Sequence, residues 1–156
     1  MKVQASIVIA SLTLAGSAFA QDMQVFENGS REGRIGSEEY FTGTAYVEPV
    51  FSAKEPFQSN AGKVIFLPGA RSNWHTHPAG QFLIVTGGTG WVQQEGEGKQ
   101  VMQPGDVVWT PPGVRHWHGA TDTTAVTHFA IQQLEDGENV IWMEPVTDEQ
   151  YAGNLE

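Results

Sequence analysis

Gly69-Ala70-Arg71-Ser72-Asn73-Trp74-His75-Thr76-His77-Pro78-Ala79-Gly80-Gln81 is answered thirty-odd residues later by Pro111-Pro112-Gly113-Val114-Arg115-His116. Two histidines at i and i+2 point to one face of a β-strand, so His75 and His77 project side by side. The Pro78-Ala79-Gly80 bend then returns the chain with Gln81, and His116 opens a further strand behind a second Pro/Gly bend. Four donors can converge on one point from this pattern: the imidazoles of His75, His77 and His116 and the amide oxygen of Gln81. Neutral imidazoles with an amide oxygen suit a divalent transition metal such as Mn, Fe, Co, Ni or Zn, not the all-oxygen cage of calcium or magnesium. Four of the chain's five histidines, His75, His77, His116 and His118, fall within or just beyond these two stretches.

Short runs rich in Val, Ile, Thr, Phe and Trp, punctuated by eighteen glycines and eight prolines, describe an all-β chain with closely spaced turns. Strands are expected near 43–47, 63–67, 71–77, 81–86, 89–94, 99–103, 106–110, 115–119, 124–132 and 139–143. Glu95-Gly96-Glu97-Gly98 reads as a hairpin tip, and Gly87-Gly88 and Pro111-Pro112-Gly113 as tight bends. Thr147-Asp148-Glu149-Gln150 has the capping-box pattern and predicts a short C-terminal helix. Phe82-Leu83-Ile84-Val85 and Val107-Val108-Trp109 are apolar on both faces. Such strands are covered twice, and in a chain this small the second cover is another copy, so a homo-oligomer, dimer or tetramer, is expected.

Residues 1–20 carry Lys2, an apolar run and Ala18-Phe19-Ala20, the three parts of a secretory signal peptide. Cleavage near Ala20 would send the protein to the periplasm or outside the cell. An N-terminal extension over 21–40 and a single β-barrel domain over 41–151 would follow. The remaining seven basic and eighteen acidic residues give a formal charge of −11. That surface argues against nucleic acid or an anionic membrane as partner and leaves a small molecule. With no cysteine in the chain, stability rests on packing, assembly and metal rather than disulfides.

Gly69-x5-His75-x-His77-x3-Gln81-x5-Gly87 and Gly105-x5-Pro111-x-Gly113-x2-His116 resemble the two cupin motifs, with Gln81 where the usual glutamate stands and Ala120 where an asparagine usually closes the second. The resemblance implies a cupin jelly roll, a small double-sheet barrel. It narrows further: Phe41-Thr42-Gly43-Thr44, His75-Thr76-His77-Pro78, Gly80-Gln81, Leu83-Ile84-Val85-Thr86, His116-Trp117-His118-Gly119-Ala120, Thr127-His128 and Trp142-Met143-Glu144 through Tyr151 are similar to the bacterial manganese-dependent cupin hydroxynitrile lyases. That likeness implies manganese on His75, His77, Gln81 and His116. It also implies a catalytic role for His128, which alternation alone does not place inside the barrel.

Cyanohydrin cleavage needs a base for the hydroxyl proton, a positive centre for the alkoxide and a donor for the departing cyanide. A neutral Gln81 leaves the full dipositive charge on the ion, which favours Lewis-acid chemistry over oxygen activation. His118, at i+2 from His116, shares its inward face and joins His128 as a candidate acid/base. Val64, Phe66, Phe82, Ile84, Trp109 and Gln132 are candidates for the pocket wall, and Arg71, Trp74 and Trp117 for a shell around the ligands. Two other classes stay open on this scaffold: a metal-dependent oxidoreductase or dioxygenase acting on a small aromatic or diketone, and a non-catalytic module holding a small ligand.

Overall fold

Strands form where the β-branched and aromatic runs predict, and the computed structural model describes residues 22–155. Residues 1–20, expected from the sequence to be a signal peptide, lie outside the described residues. In chain order the elements are β1 (Arg34–Ile35), β2 (Phe41–Thr42), β3 (Ala45–Phe51), β4 (Ser59–Phe66), β5 (Arg71–Ser72), β6 (His75–Thr76), β7 (Gln81–Gly88), β8 (Gly90–Gln94), β9 (Gln100–Met102), β10 (Val107–Thr110), β11 (His116–Ala120), β12 (Val126–Gln133), β13 (Ile141–Trp142) and α1 (Asp148–Ala152).

Two antiparallel sheets face each other. One runs β1-β3-β4-β12-β7-β10; the other runs β13-β6-β11-β5-β2, with β8 on β11 and β9 on β8. This is the expected double-sheet barrel. The segment read as one strand over 71–77 is broken at Asn73-Trp74 into β5 and β6, which both pair with β11. β1 arises within the N-terminal extension and forms the edge of its sheet, paired with β3.

Period-two alternation sorts the side chains. Val64, Phe66, Leu83, Val85, Val126 and Ala130 turn inward and form the buried core between the sheets. On β11, His116 and His118 face the interior while Trp117 between them faces out, where Trp74, Val146 and Tyr151 cover it. Thr147 caps α1 with both bonds of the capping box present. The helix is tied down by Arg71, whose guanidinium donates to the Val146 carbonyl and to Asp148 and stacks on Tyr151. Trp74 adds a bond from Nε1 to Gln150. Arg71, Trp74 and Trp117 therefore anchor the C-terminus instead of surrounding the ligands.

The outer face of the other sheet has no such cover among the described residues. Val107 is 60% exposed, Trp109 47% and Phe82 44%, and the Phe82 and Trp109 rings lie 4.5 Å apart across the β7/β10 pair.

Candidate metal centre

β6 and β11 pair so that His116 stands directly opposite His75, and the barrel interior receives both. His77 follows at the end of the same segment. Gly80, at φ +81°, makes the turn that returns the chain, and a Cβ there would meet the Thr110 carbonyl at 2.8 Å, so only glycine fits without displacement. Gln81 then enters β7 facing inward, 2% exposed.

The rings crowd together: centroids lie 4.2 Å apart for His75 and His116, 5.0 Å for His75 and His77, and 5.4 Å for His77 and His116. Each of the three donates Nδ1–H to a backbone carbonyl: His75 to Asn73 at 2.9 Å, His77 to Asn139 at 2.5 Å and His116 to Val114 at 3.0 Å. That locks the tautomer and leaves the Nε2 lone pair as the free donor, which is how proteins present imidazoles to a metal. The Gln81 side-chain oxygen lies 3.2 Å from His116 Nε2, and His77 Nε2 is buried with no partner.

Burial lowers the pKa of all three imidazoles: His75 well below the usual value, with its histidine neighbours adding to the effect, His77 below it, and His116 to about 4. They are neutral at physiological pH, as ligands must be. An orphaned buried Nε2, three fixed tautomers and an amide oxygen fit a divalent transition ion.

His118 and His128 form a second group. The pair is bonded Nε2 of His128 to Nδ1 of His118 at 3.1 Å, and Phe66 packs edge-on against His118. Burial drives His118 well below its usual pKa, helped by repulsion from His128, and takes His128 to about 4. A ring nitrogen of His118 also comes within 4.8 Å of ring nitrogens of His75 and His116, so two arrangements of three imidazoles share one space. His77 is distinguished by a buried Nε2 with no partner, and His118 by a second imidazole, His128, on its Nδ1.

A cavity of about 450 Å³ opens on this centre. His75, His77, Gln81 and His118 reach its surface, whereas His128 stands behind His118, fully buried. Of the residues expected in the wall, Val64 and Gln132 line the cavity. Phe66 lies beneath the imidazole pair. Phe82 and Trp109 do not belong to the wall. Gln81 and its cross-strand partner Thr110 point inward, so the residues beside them must point out. Ile84 shares the outward side of β7 with Phe82. The wall also includes Phe41, Val47 and Trp142, which the sequence did not mark as pocket residues. Trp142 stacks on Tyr40 at 4.8 Å and lies 4.9 Å from the His75 ring.

Fold and site together define a small double-sheet β-barrel with an inward cluster of imidazoles that could hold a metal ion, and residues 62–131 match the cupin domain family. The chain is 53% identical to an (R)-mandelonitrile lyase from Granulicella tundricola over 129 residues, 83% of this chain and 98% of that one. The protein belongs to the cupin family. Among solved structures it resembles a cupin-like protein from Thermotoga maritima, with TM-score 0.73 and 38% identity over 86% of this chain and 98% of that one. A cupin-2 domain from Rhodospirillum rubrum shares the fold at TM-score 0.63 and 16% identity, covering 86% and 87% of the two chains.

Proposed function

We propose that this protein is a metal-dependent hydroxynitrile lyase, cleaving or forming cyanohydrins such as mandelonitrile from benzaldehyde and HCN. The observation that carries the reading is its 53% identity to an (R)-mandelonitrile lyase across nearly that protein's full length. The site supplies chemistry that suits it. His75, His77, His116 and Gln81 would hold the ion, manganese first, with Fe, Co, Ni or Zn as alternatives. When bound it would supply a positive centre that acidifies a hydroxyl and stabilises an alkoxide.

The chain's own residues complete the reaction. His118 is the imidazole of the pair that reaches the cavity, so it meets the substrate, and His128 fixes its tautomer from behind. Neutral His118 accepts the hydroxyl proton; the carbon–cyanide bond breaks with its electron pair on cyanide as the carbonyl forms; the proton passes to cyanide and leaves as HCN. Phe41, Val47, Val64 and Trp142 present an apolar wall for an aryl group and keep bulk water from the reacting carbon.

The bare outer face of Phe82, Val107 and Trp109 supports assembly into a homo-oligomer, dimer or tetramer, with a small molecule as the remaining partner. The N-terminal segment supports export to the periplasm or beyond. Cyanide release from mandelonitrile, measured before and after chelation and again with manganese restored, tests the activity. Release lost on chelation and recovered with manganese is the expected result. Turnover untouched by complete metal removal would overturn it. Light scattering on the eluting protein tests assembly, and a clean monomer would refute it.

A further inference from the structure

The concave face of the six-stranded sheet carries one row whose order is chemically telling. Arg34 pairs with Val47, Val47 with Val64, and Val64 with His128. A cation at the edge strand is thus separated from the buried imidazole pair by two valines. Arg34, Val47 and Val64 all line the cavity, and His118, bonded to His128, lines its inner end. Three strand steps of about 4.8 Å put the Arg34 and His128 backbones roughly 14 Å apart along the curved sheet. The inward-reaching side chains shorten that gap to the span of a substituted aromatic ring.

Arg34 has nothing else to do in the described structure. Its neighbour Arg31 bonds the Pro49 carbonyl and pairs with Glu48, Arg71 pairs with Asp148, and Arg115 pairs with Glu95 and Glu144. The Arg34 side chain makes no ion pair or hydrogen bond among the described residues, although the chain carries more than two acidic residues for each basic one. Glu32 lies two residues away and also lines the mouth, but the two are not within ion-pair distance. A cavity of about 450 Å³ falls within the range that holds drug-sized ligands, roughly 300–1,000 Å³. A single-ring cyanohydrin leaves much of it to solvent.

We propose that the substrate is an aryl cyanohydrin, or its aldehyde, bearing a carboxylate or similar anionic group at the end of the ring remote from the reacting carbon. The ring lies over Val47 and Val64 beside Trp142, and the anion reaches Arg34. Arg34 is a specificity residue and takes no part in breaking the bond; Glu32 opposes it. The inference rests on the lyase reading for its reaction, but the recognition element stands on the row itself.

The test compares mandelonitrile with the cyanohydrin of 4-formylbenzoate on the manganese-loaded protein. The wild type should favour the carboxylated substrate in kcat/KM by about tenfold, the size of one charge-assisted hydrogen bond at a partly exposed site. The preference should reside in KM and shrink with added salt. Arg34→Gln should abolish it, Arg34→Lys should keep part of it, and Glu32→Gln should increase it. Calorimetric titration with 4-formylbenzoate and with benzaldehyde gives a second readout that needs no turnover. The expected order is tighter binding of the carboxylate in the wild type and equal binding in Arg34→Gln. If neither cyanohydrin releases cyanide but the carboxylate still binds through Arg34, the lyase reading falls and the recognition element stands. If mandelonitrile turns over and the carboxylate brings no gain in either readout, or a gain that Arg34→Gln leaves intact, the proposal is overturned.

Discussion

His75, His77 and His116 differ from His118 and His128 in what holds their second nitrogen. In the first group every Nδ1–H goes to a backbone carbonyl, a rigid acceptor that cannot take up a proton. In the second group the partner is another imidazole, which can donate, accept or exchange one. All five rings are buried and neutral, so burial does not distinguish them. Their anchors do: a ring fixed by backbone presents a lone pair to an ion, whereas a ring fixed by a ring can change its protonation within the pair.

The largest expected effect comes from removing a backbone-anchored ring. His77→Ala should leave the purified protein nearly free of metal and reduce cyanide release by about a thousandfold or more. His118→Ala should retain the ion while losing activity. Metal analysis of the two variants side by side decides between the overlapping histidine sets, and the reverse pattern would transfer the ligand role to His118. Within the imidazole pair, His128→Ala should keep the metal and lower kcat by roughly a hundredfold, the low end of what general acid/base groups contribute. An unchanged rate would remove His128 from the reaction.

A smaller effect isolates charge from geometry. Gln81→Glu keeps an oxygen at the same place but cancels one unit of the ion's charge. Metal content should hold while cyanide release falls by about tenfold. A rate equal to the wild type would show that the neutrality of this ligand is irrelevant to the chemistry.

The two groups were not equally legible. His75, His77, Gln81 and His116 could be read because the Pro/Gly bends and the i, i+2 spacing place them together locally. His128 could not, because Thr127, Phe129 and Ile131 on the opposite side of β12 are the bulkier set. The structure turns Val126, His128 and Ala130 inward all the same. Bulk misleads on this sheet because its outer face is also apolar. The same apolar outer face makes Phe82 and Trp109 look like pocket residues in the sequence, although an inward Gln81 requires Phe82 to face out. Asn139 had no signal of its own: it holds His77 through a backbone carbonyl, and any residue could supply one. Phe41 and Trp142 reach the site through pairings of two-residue strands, too short for periodicity to announce.

The mildest test acts on both groups at once through protons. Burial holds His116 and His128 near 4, below the usual 6.5, and lowers His75, His77 and His118 as well. Between about pH 6.5 and pH 4 the unfolded chain therefore binds protons that the folded apoprotein refuses, and stability must fall as the pH falls through that window. Above it these groups contribute no slope, and below pH 4 His116 and His128 add no further loss. The apoprotein should show a melting temperature independent of the histidines above neutrality and a steady decline from pH 6.5 to 4. His128→Gln should flatten part of that slope. Manganese should hold the metal-bound form up through the upper part of the window, because an ion on the three backbone-anchored rings excludes their protons until binding itself is outcompeted. The residual slope in the metal-bound protein then belongs to His118 and His128. Identical slopes with and without metal would show that the two groups titrate independently of the ion, and the distinction between anchored ligands and a proton-carrying pair would fail.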